Sequence, residues 1–318
     1  MKKGLILVGE PMGLLIAQSE GNLDSVSGYD LAVAGAEFNV AVGTARLDHR
    51  VTYMTKLGND PFGKRIVSVL NQNKIGNEFV MFAKDKFTGF MLKGRTSIGD
   101  PDIFYFRKNS AASTLTEDDV DKIDLEKYSH IHLTGILPAL SEDTRKATFH
   151  LMKKAKAKGL FISFDPNLRP QLWESEEQMK TTINKLASYA DLVLPGQAEG
   201  KILMGSDDEK VINKFYLENG ASICVTKCGS KGAYVSTKDN ENYMVNGYKV
   251  EKVVDTVGAG DGFATGVVTG LMEGLPLKDA VKRATAIGAI QVMSRGDNEG
   301  LPTRAQLNAF MSNETRRD

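Results

Sequence analysis

The sequence predicts an α/β fold built on a mostly parallel sheet with helices on both faces. Three observations carry this. Short β-branched runs alternate with amphipathic stretches along most of the 318 residues, two segments break that rhythm with strands and turns but no helices, and the composition, 42% hydrophobic and 25% charged, is that of a globular chain.

The rhythm begins with LILVG at 5 to 9, read as a first buried strand. AEFNVAVGTARLDH at 36 to 49 follows as a helix, VTYMTKLG at 51 to 58 as a strand and PFGKRIVSVLNQNK at 61 to 74 as a helix. It resumes with HIHLTG at 130 to 135, a helix from about 142 to 158, FISFD at 161 to 165, a helix near 176 to 189, DLVLP at 191 to 195 and ASICVTK at 221 to 227. From 260 onward the chain reads as helices, over 260 to 274, 278 to 294 and 303 to 312. Residues 12 to 33 and 87 to 108, the latter containing FTGFMLKGR and IFYFRKN, cannot be ordinary crossovers and are assigned to a small secondary sheet, a lid. With no linker or repeat, residues 1 to 318 are expected to form one domain with that lid inserted. In such folds ligands bind beyond the carboxyl ends of the strands, which points to the segments after Gly9, Asp165, Pro195 and Lys227.

Composition narrows the function. Lys and Arg number 40 against 40 Asp and Glu, so there is no basic footprint for nucleic acid. The apolar runs, such as LILV at 5 to 8, are too short to span a membrane or form a signal-peptide core, so no membrane partner is expected. The two cysteines, Cys224 and Cys228, read as small buried residues in a reduced, cytoplasmic protein. His49, His130, His132 and His150 match no metal-binding spacing and read as structural.

Two motifs are set aside. GNDPFGKR at 58 to 65 approaches a P-loop, but Arg65 stands where a hydroxyl belongs and Pro61 removes an N–H from the cradle. GAGDGF at 258 to 263 has Phe263 at the third glycine position of a dinucleotide fingerprint, which argues against a nicotinamide oxidoreductase. Glycine is in excess, 31 residues, and its densest cluster is VVDTVGAGDGFATGVVTGLMEG at 253 to 274. Here a strand is expected to end at Asp255, with a tight turn leading into a helix near Gly260. The N–H groups of Gly258, Ala259, Gly260 and Asp261 would then converge on an anion at a helix N-terminus. Asp261, expected to be held ionised by the helix dipole, could accept a proton from an attacking hydroxyl. Gly258, Gly262, Gly266, Gly270 and Gly274 recur every fourth residue, a packing stripe.

DTVGAGDGF resembles the C-terminal signature of the ribokinase-like, phosphofructokinase-B type carbohydrate kinases, and the resemblance spans essentially the whole chain. AGAEFNVAVGTARL at 34 to 47 is similar to the first signature of that family, with Gly35 and Asn39 on the substrate side. TKCGSKGAYV at 226 to 235 resembles its nucleotide-side loop, which implies Thr226, Lys227, Gly229 and Gly232 near the nucleotide. The resemblance implies a three-layer α/β/α sandwich, ATP and Mg²⁺, Glu199 near the metal, and a K⁺ site at Asp255 and the Val257 carbonyl. It also implies a homodimer or larger assembly paired through the lids. GQAE at 196 to 199 departs from the family's Asn-x-x-Glu, since Gly196 replaces the Asn.

FYFRKNSAAS at 104 to 113, DPNLRPQLW at 165 to 173, HLTGILPALS at 132 to 141 and RGDNEGLPT at 295 to 303 are similar to the branch acting on 2-keto-3-deoxygluconate. That branch implies Gly35, Tyr105, Arg107 and Arg169 as sugar-acid contacts and Asp297 near the same pocket, with Met91 where some members carry a Tyr. Two arginines in one pocket would suit a carboxylate. The expectation is therefore ATP-dependent phosphorylation of 2-keto-3-deoxygluconate to the 6-phosphate, with Asp261 as base. The rivals are a kinase for a neutral sugar such as fructose or ribose, and a non-catalytic sugar-binding regulatory protein on the same fold.

Overall fold

The structure, a computed structural model, describes residues 3–96 and 102–313. The strands are β1 (Gly4–Val8), β2 (Met12–Ala17), β3 (Tyr29–Ala34), β4 (Val51–Gly58), β5 (Gly76–Ala83), β6 (Phe90–Lys93), β7 (Ile103–Phe106), β8 (Tyr128–Thr134), β9 (Phe161–Asp165), β10 (Leu192–Val193), β11 (Ile223–Lys227), β12 (Gly232–Thr237) and β13 (Asn242–Asn246). The helices are α1 (Ala36–Arg46), α2 (Pro61–Gln72), α3 (Glu117–Val120), α4 (Glu142–Ala157), α5 (Glu176–Ala187), α6 (Gln197–Met204), α7 (Glu209–Glu218), α8 (Ala259–Met272), α9 (Leu277–Gln291) and α10 (Arg304–Asn313).

Nine strands form one sheet in the order β13-β12-β11-β10-β9-β8-β1-β4-β5. From β5 to β11 every neighbouring pair is parallel, and β12 and β13 add an antiparallel edge. Strand alternation builds two cores. On β1, Leu5 and Leu7 join the side holding residues of α1, α2, α8 and α9, while Ile6 and Val8 join the side holding residues of α4, α5 and α7. Both faces are covered, which gives the expected three-layer sandwich. Polar caps set where its helices start: Asp60 on α2, Ser141 on α4, Ser175 on α5 and Asp208 on α7 each accept backbone N–H bonds. The GNDPFGKR segment is thus a capped helix start, with Asp60 Oδ1 accepting the Gly63 N–H at 2.8 Å.

The two segments set apart in the sequence supply β2, β3, β6 and β7, a four-stranded sheet in the order β3-β2-β6-β7. Residues 97–101 of the second segment lie outside the described residues. β6 and β7 pair antiparallel, Met91 opposite Tyr105. Tyr105 turns inward, and Phe104 and Phe106 turn out.

One expectation is corrected here. No strand ends at Asp255, because the N–H groups of Val254 and Asp255 bond to the Val292 carbonyl just past α9, at 2.7 and 3.3 Å, instead of to a neighbouring strand. The glycine stripe packs as read at Gly262, Gly266 and Gly270, whereas Gly258 and Gly274 lie just outside α8 with positive φ and a Cβ on Gly274 would meet no neighbour. A Cβ on Gly266 would lie 2.3 Å from Ala284 Cα and one on Gly270 2.6 Å from Ala280 Cβ, so α8 and α9 meet almost backbone to backbone. Cys224 and Cys228 are free and buried. His132 Nδ1 lies 2.9 Å from Ser163 Oγ, and burial first, then the Lys227 charge, push its pKa down to about 3, a neutral core histidine. Among the described residues no helix is long and apolar enough to cross a membrane.

Candidate active site

The carboxyl ends of β1, β9 and β11 and the N-termini of α1 and α8 surround a cavity of about 320 Å³. Gly35, Asn39, Tyr105, Arg107, Arg169 and Asp297 all line it, although they come from four separate parts of the chain. Gly35 caps α1 with φ 139°, and a Cβ there would lie 2.8 Å from the Glu10 carbonyl oxygen, so only glycine closes this corner. Met91, buried, also lines the wall.

At the first turn of α8, Gly258 takes φ 76°, and a Cβ on it would lie 2.1 Å from the Asp297 carbonyl oxygen. The Ala259 N–H reaches Thr256 O at 3.4 Å and the Gly262 N–H reaches Gly258 O at 2.8 Å. Those of Gly260 and Asp261 between them make no such backbone bond among the described residues. They are the free donors of a helix start. Asp261 Oδ2 accepts a hydrogen bond from Asn39 Nδ2 at 2.7 Å, and Asn39 Oδ1 accepts one from Asn298 Nδ2 at 3.0 Å, which fixes the orientation of the Asn39 amide. Asn39 thereby acts on Asp261 as well as bordering the cavity. The expectation that the helix dipole keeps Asp261 readily ionised is corrected. Burial, with the Asp165 charge adding to it, pushes its pKa up to about 7 against the pull of Asn39, Arg169 and Lys227. A carboxylate tuned to neutrality suits a base that must take and release a proton.

The two arginines differ. Arg107 is buried and donates from Nε to Glu10 Oε2 at 2.7 Å and from its terminal nitrogen to the same oxygen, while Ser110 Oγ donates to Glu10 Oε1. Its charge is already opposed, so the expected pair of free guanidinium groups reduces to one. Arg169 has an NH1 bond to the Leu168 carbonyl at 2.8 Å and no carboxylate within ion-pair distance among the described residues. Arg107→Met is expected to lower stability by about 3–5 kcal/mol, because Glu10 would be left buried without its counter-charge. Urea unfolding followed by circular dichroism measures this loss, and an unchanged midpoint would show that the pair is not structural.

A second cavity, about 380 Å³, lies on the other side of the same turn. Its walls are mostly apolar, with Tyr248, Val250, Phe263, Ala289 and Val292, and one rim is the turn from Gly229 to Gly232. Such walls suit a flat base, and the glycine rim lets a phosphate chain approach the backbone. Gly232 has φ 109°, and a Cβ on it would lie 2.0 Å from the Val245 carbonyl oxygen. Thr226 is placed differently from the expectation: buried in the core, it donates to Asn213 Oδ1 at 2.6 Å and does not line the cleft. Lys227, Thr256 and Gly260 line both cavities. A group handed from one to the other would pass them.

Lys227 Nζ lies 2.6 Å from Asp165 Oδ2. Burial alone would lower its pKa, but the Asp165 and Glu199 charges outweigh that and hold it charged. Glu199 accepts from the N–H groups of Gly196 at 2.7 Å and Leu168 at 2.9 Å, so the Gly196 end needs no side chain to be tied. Burial raises its pKa against the pull of Lys227. For a magnesium ion this donor set fits the usual arrangement, in which one or two carboxylates reach an ion carried on phosphates through its waters. No group of three or more His, Cys, Asp or Glu that could hold a metal occurs among the described residues, and Asp165 is already paired with Lys227, so Glu199 would reach the ion while the nucleotide phosphates carried it. The K⁺ expected at Asp255 and Val257 does not fit, because Lys93 Nζ already lies 2.6 Å from Asp255 Oδ2. Neither Glu10 nor Lys93 was singled out in the sequence.

A helix start with free backbone donors, a carboxylate beside it and two cavities that share Lys227, Thr256 and Gly260 are the features that a phosphotransferase of the sugar-kinase type would need. Residues 2–304 match the pfkB family carbohydrate kinase, and the chain belongs to that family. It is 45% identical over 313 residues to the 2-dehydro-3-deoxygluconokinase of Bacillus subtilis (strain 168), covering 98% of this chain and 96% of that one. It is 32% identical to probable fructokinase-7 of Arabidopsis thaliana, over 92% of this chain and 87% of that one. A ribokinase II-like structure from E. coli in complex with ATP and Mg²⁺ superposes with TM-score 0.90 at 25% identity, covering 98% and 99% of the two chains.

Proposed function

We propose that this carbohydrate kinase transfers the terminal phosphoryl group of ATP to the primary hydroxyl of 2-keto-3-deoxygluconate, also called 2-dehydro-3-deoxygluconate, giving the 6-phosphate. The observation that carries the reading is Arg169, a guanidinium without a carboxylate partner among the described residues, in the same cavity as Asp261. A sugar carboxylate is the partner its charge asks for. The likeness to the Bacillus subtilis kinase supports the same substrate. Asp261 takes the hydroxyl proton while Asn39 holds its other face, and the first turn of α8 and Lys227 meet the charge of the phosphoryl group in flight. Tyr105 and Gly35 shape the sugar end, and Gly229 and Gly232 bound the nucleotide end. Mg²⁺, held near Glu199, would neutralise the phosphate charge. The small sheet serves as the lid. Its exposed Leu31, Phe104 and Phe106 support pairing with a second copy, which light scattering tests.

The neutral-sugar reading has one observation in its favour, the cancellation of the Arg107 charge by Glu10. The comparison that separates the two is kcat/KM for 2-keto-3-deoxygluconate and fructose in the wild type and Arg169→Ala. The sugar acid is expected to lose about 10- to 150-fold, and fructose much less. Arg107→Ala is expected to impair both, through Glu10. A wild type that prefers fructose would replace the sugar-acid reading.

A further inference from the structure

The carboxylate of Asp255 sits two residues before the turn into α8, and its counter-charge comes from the small sheet. Lys93, the last residue of β6, is 3% exposed along its side chain, with Nζ 2.6 Å from Asp255 Oδ2 and 3.5 Å from Asp297 Oδ1. The other oxygen, Asp255 Oδ1, accepts the Val257 N–H at 3.0 Å. The Val257 carbonyl is met by Gln291 Nε2 at 3.3 Å, and the same amide reaches the carbonyls of Gly296 at 2.9 Å and Asp297 at 3.2 Å. A monovalent cation at this place would supply two things, a positive charge for the carboxylate and a centre on which carbonyl oxygens converge. Lys93 supplies the first and Gln291 the second. A buried carboxylate requires a counter-charge, but it needs only one, and a second cation beside a fixed ammonium meets like charge.

We infer that Lys93 is a built-in cation for the turn that forms the anion hole, so that this kinase works without a monovalent metal ion. Lys93 is a positioning residue. Its ammonium fixes Asp255, whose other oxygen fixes the Val257 N–H and so the entry to Gly258. Because Lys93 stands on the small sheet, the ion pair ties the turn to that sheet. The kinetic consequence rests on residues 258–261 being the anion hole, whereas the effect of cations on stability does not.

The test uses the full chain as wild type, Lys93→Met and Lys93→Arg. Phosphorylation rate and melting temperature are recorded while KCl replaces tetramethylammonium chloride at constant ionic strength. The wild type and Lys93→Arg are expected to show the same kcat and melting temperature in both salts. Lys93→Met is expected to lose about tenfold or more in kcat without K⁺ and to recover part of it with K⁺, its melting temperature rising with K⁺ alone. A wild type whose rate or melting temperature depends on K⁺ overturns the inference. So does a folded Lys93→Met with wild-type kcat in tetramethylammonium. Should the anion-hole assignment fail, Gly260 variants would be active, while the melting response of Lys93→Met to K⁺ would still be read.

Discussion

Asp261→Asn is expected to lower kcat by about 10² to 10⁴ while leaving both substrates bound. The variant should also melt higher than the wild type at neutral pH. Burial raises the folded pKa of Asp261 from 3.8 to about 7, so between those values the folded state holds a proton that the unfolded state has released. Stability therefore falls as pH rises through that window, and the neutral amide removes the fall. The activity has the opposite sign, since the base must be ionised: kcat/KM should climb with pH to about 7 and level off above it. Stopped-assay profiles from pH 5 to 9 with melting curves on the same samples check both. Near-normal turnover in Asp261→Asn, or a profile without that climb, would reduce Asp261 to a helix-start residue.

Gly260→Val is expected to lower kcat about 10²- to 10³-fold, the range for losing one donor's contact with developing charge, because the side chain holds the phosphoryl group away from an N–H that is still present. The melting temperature should change little. A Cβ at this position would meet only Lys227 Nζ, at 3.7 Å, so the protein itself has room for it. The added methyls would project into the wall common to the two cavities, where the phosphoryl group has to pass. Gly258→Ala is the contrasting case. Its φ of 76° and a Cβ 2.1 Å from the Asp297 carbonyl oxygen make it a folding defect. Full activity in Gly260→Val would move the phosphate path toward the Lys227 to Gly232 turn.

Much of the fold was legible because its signals are local. The alternation in LILV at 5 to 8 sends successive side chains to two cores, and α1, α4 and α8 start within a residue of where their patterns begin. The turn and the Asp in GAGDG were legible for the same reason. What escaped was set by contacts between distant residues. Glu10 meets Arg107 across 97 positions, Lys93 meets Asp255 across 162 and Asn298 meets Asn39 across 259, and no spacing along the chain announces such pairs. The ionisation of Asp261 was misjudged on similar grounds. A helix start acts on its own first turn, but burial within the folded site, with the charge of Asp165 at the end of β9 adding to it, outweighs that pull. The family resemblance implies Thr226 near the nucleotide, and only the packing of α7 against β11 shows its hydroxyl spent on Asn213.

The seam between α8 and α9 has a mechanical meaning. At Gly266 and Gly270 the helices touch through backbone and Ala, with no long side chain to yield, so α8 behaves as a rod laid in a fixed groove. Its far end carries the donors of Gly260 and Asp261, six residues and roughly 9 Å from Gly266 at the helical rise. A methyl added at Gly266 has to be accommodated by moving the rod, and the donors move with it. Residues that touch neither substrate therefore act as a gauge block, setting the gap that the phosphoryl group must cross.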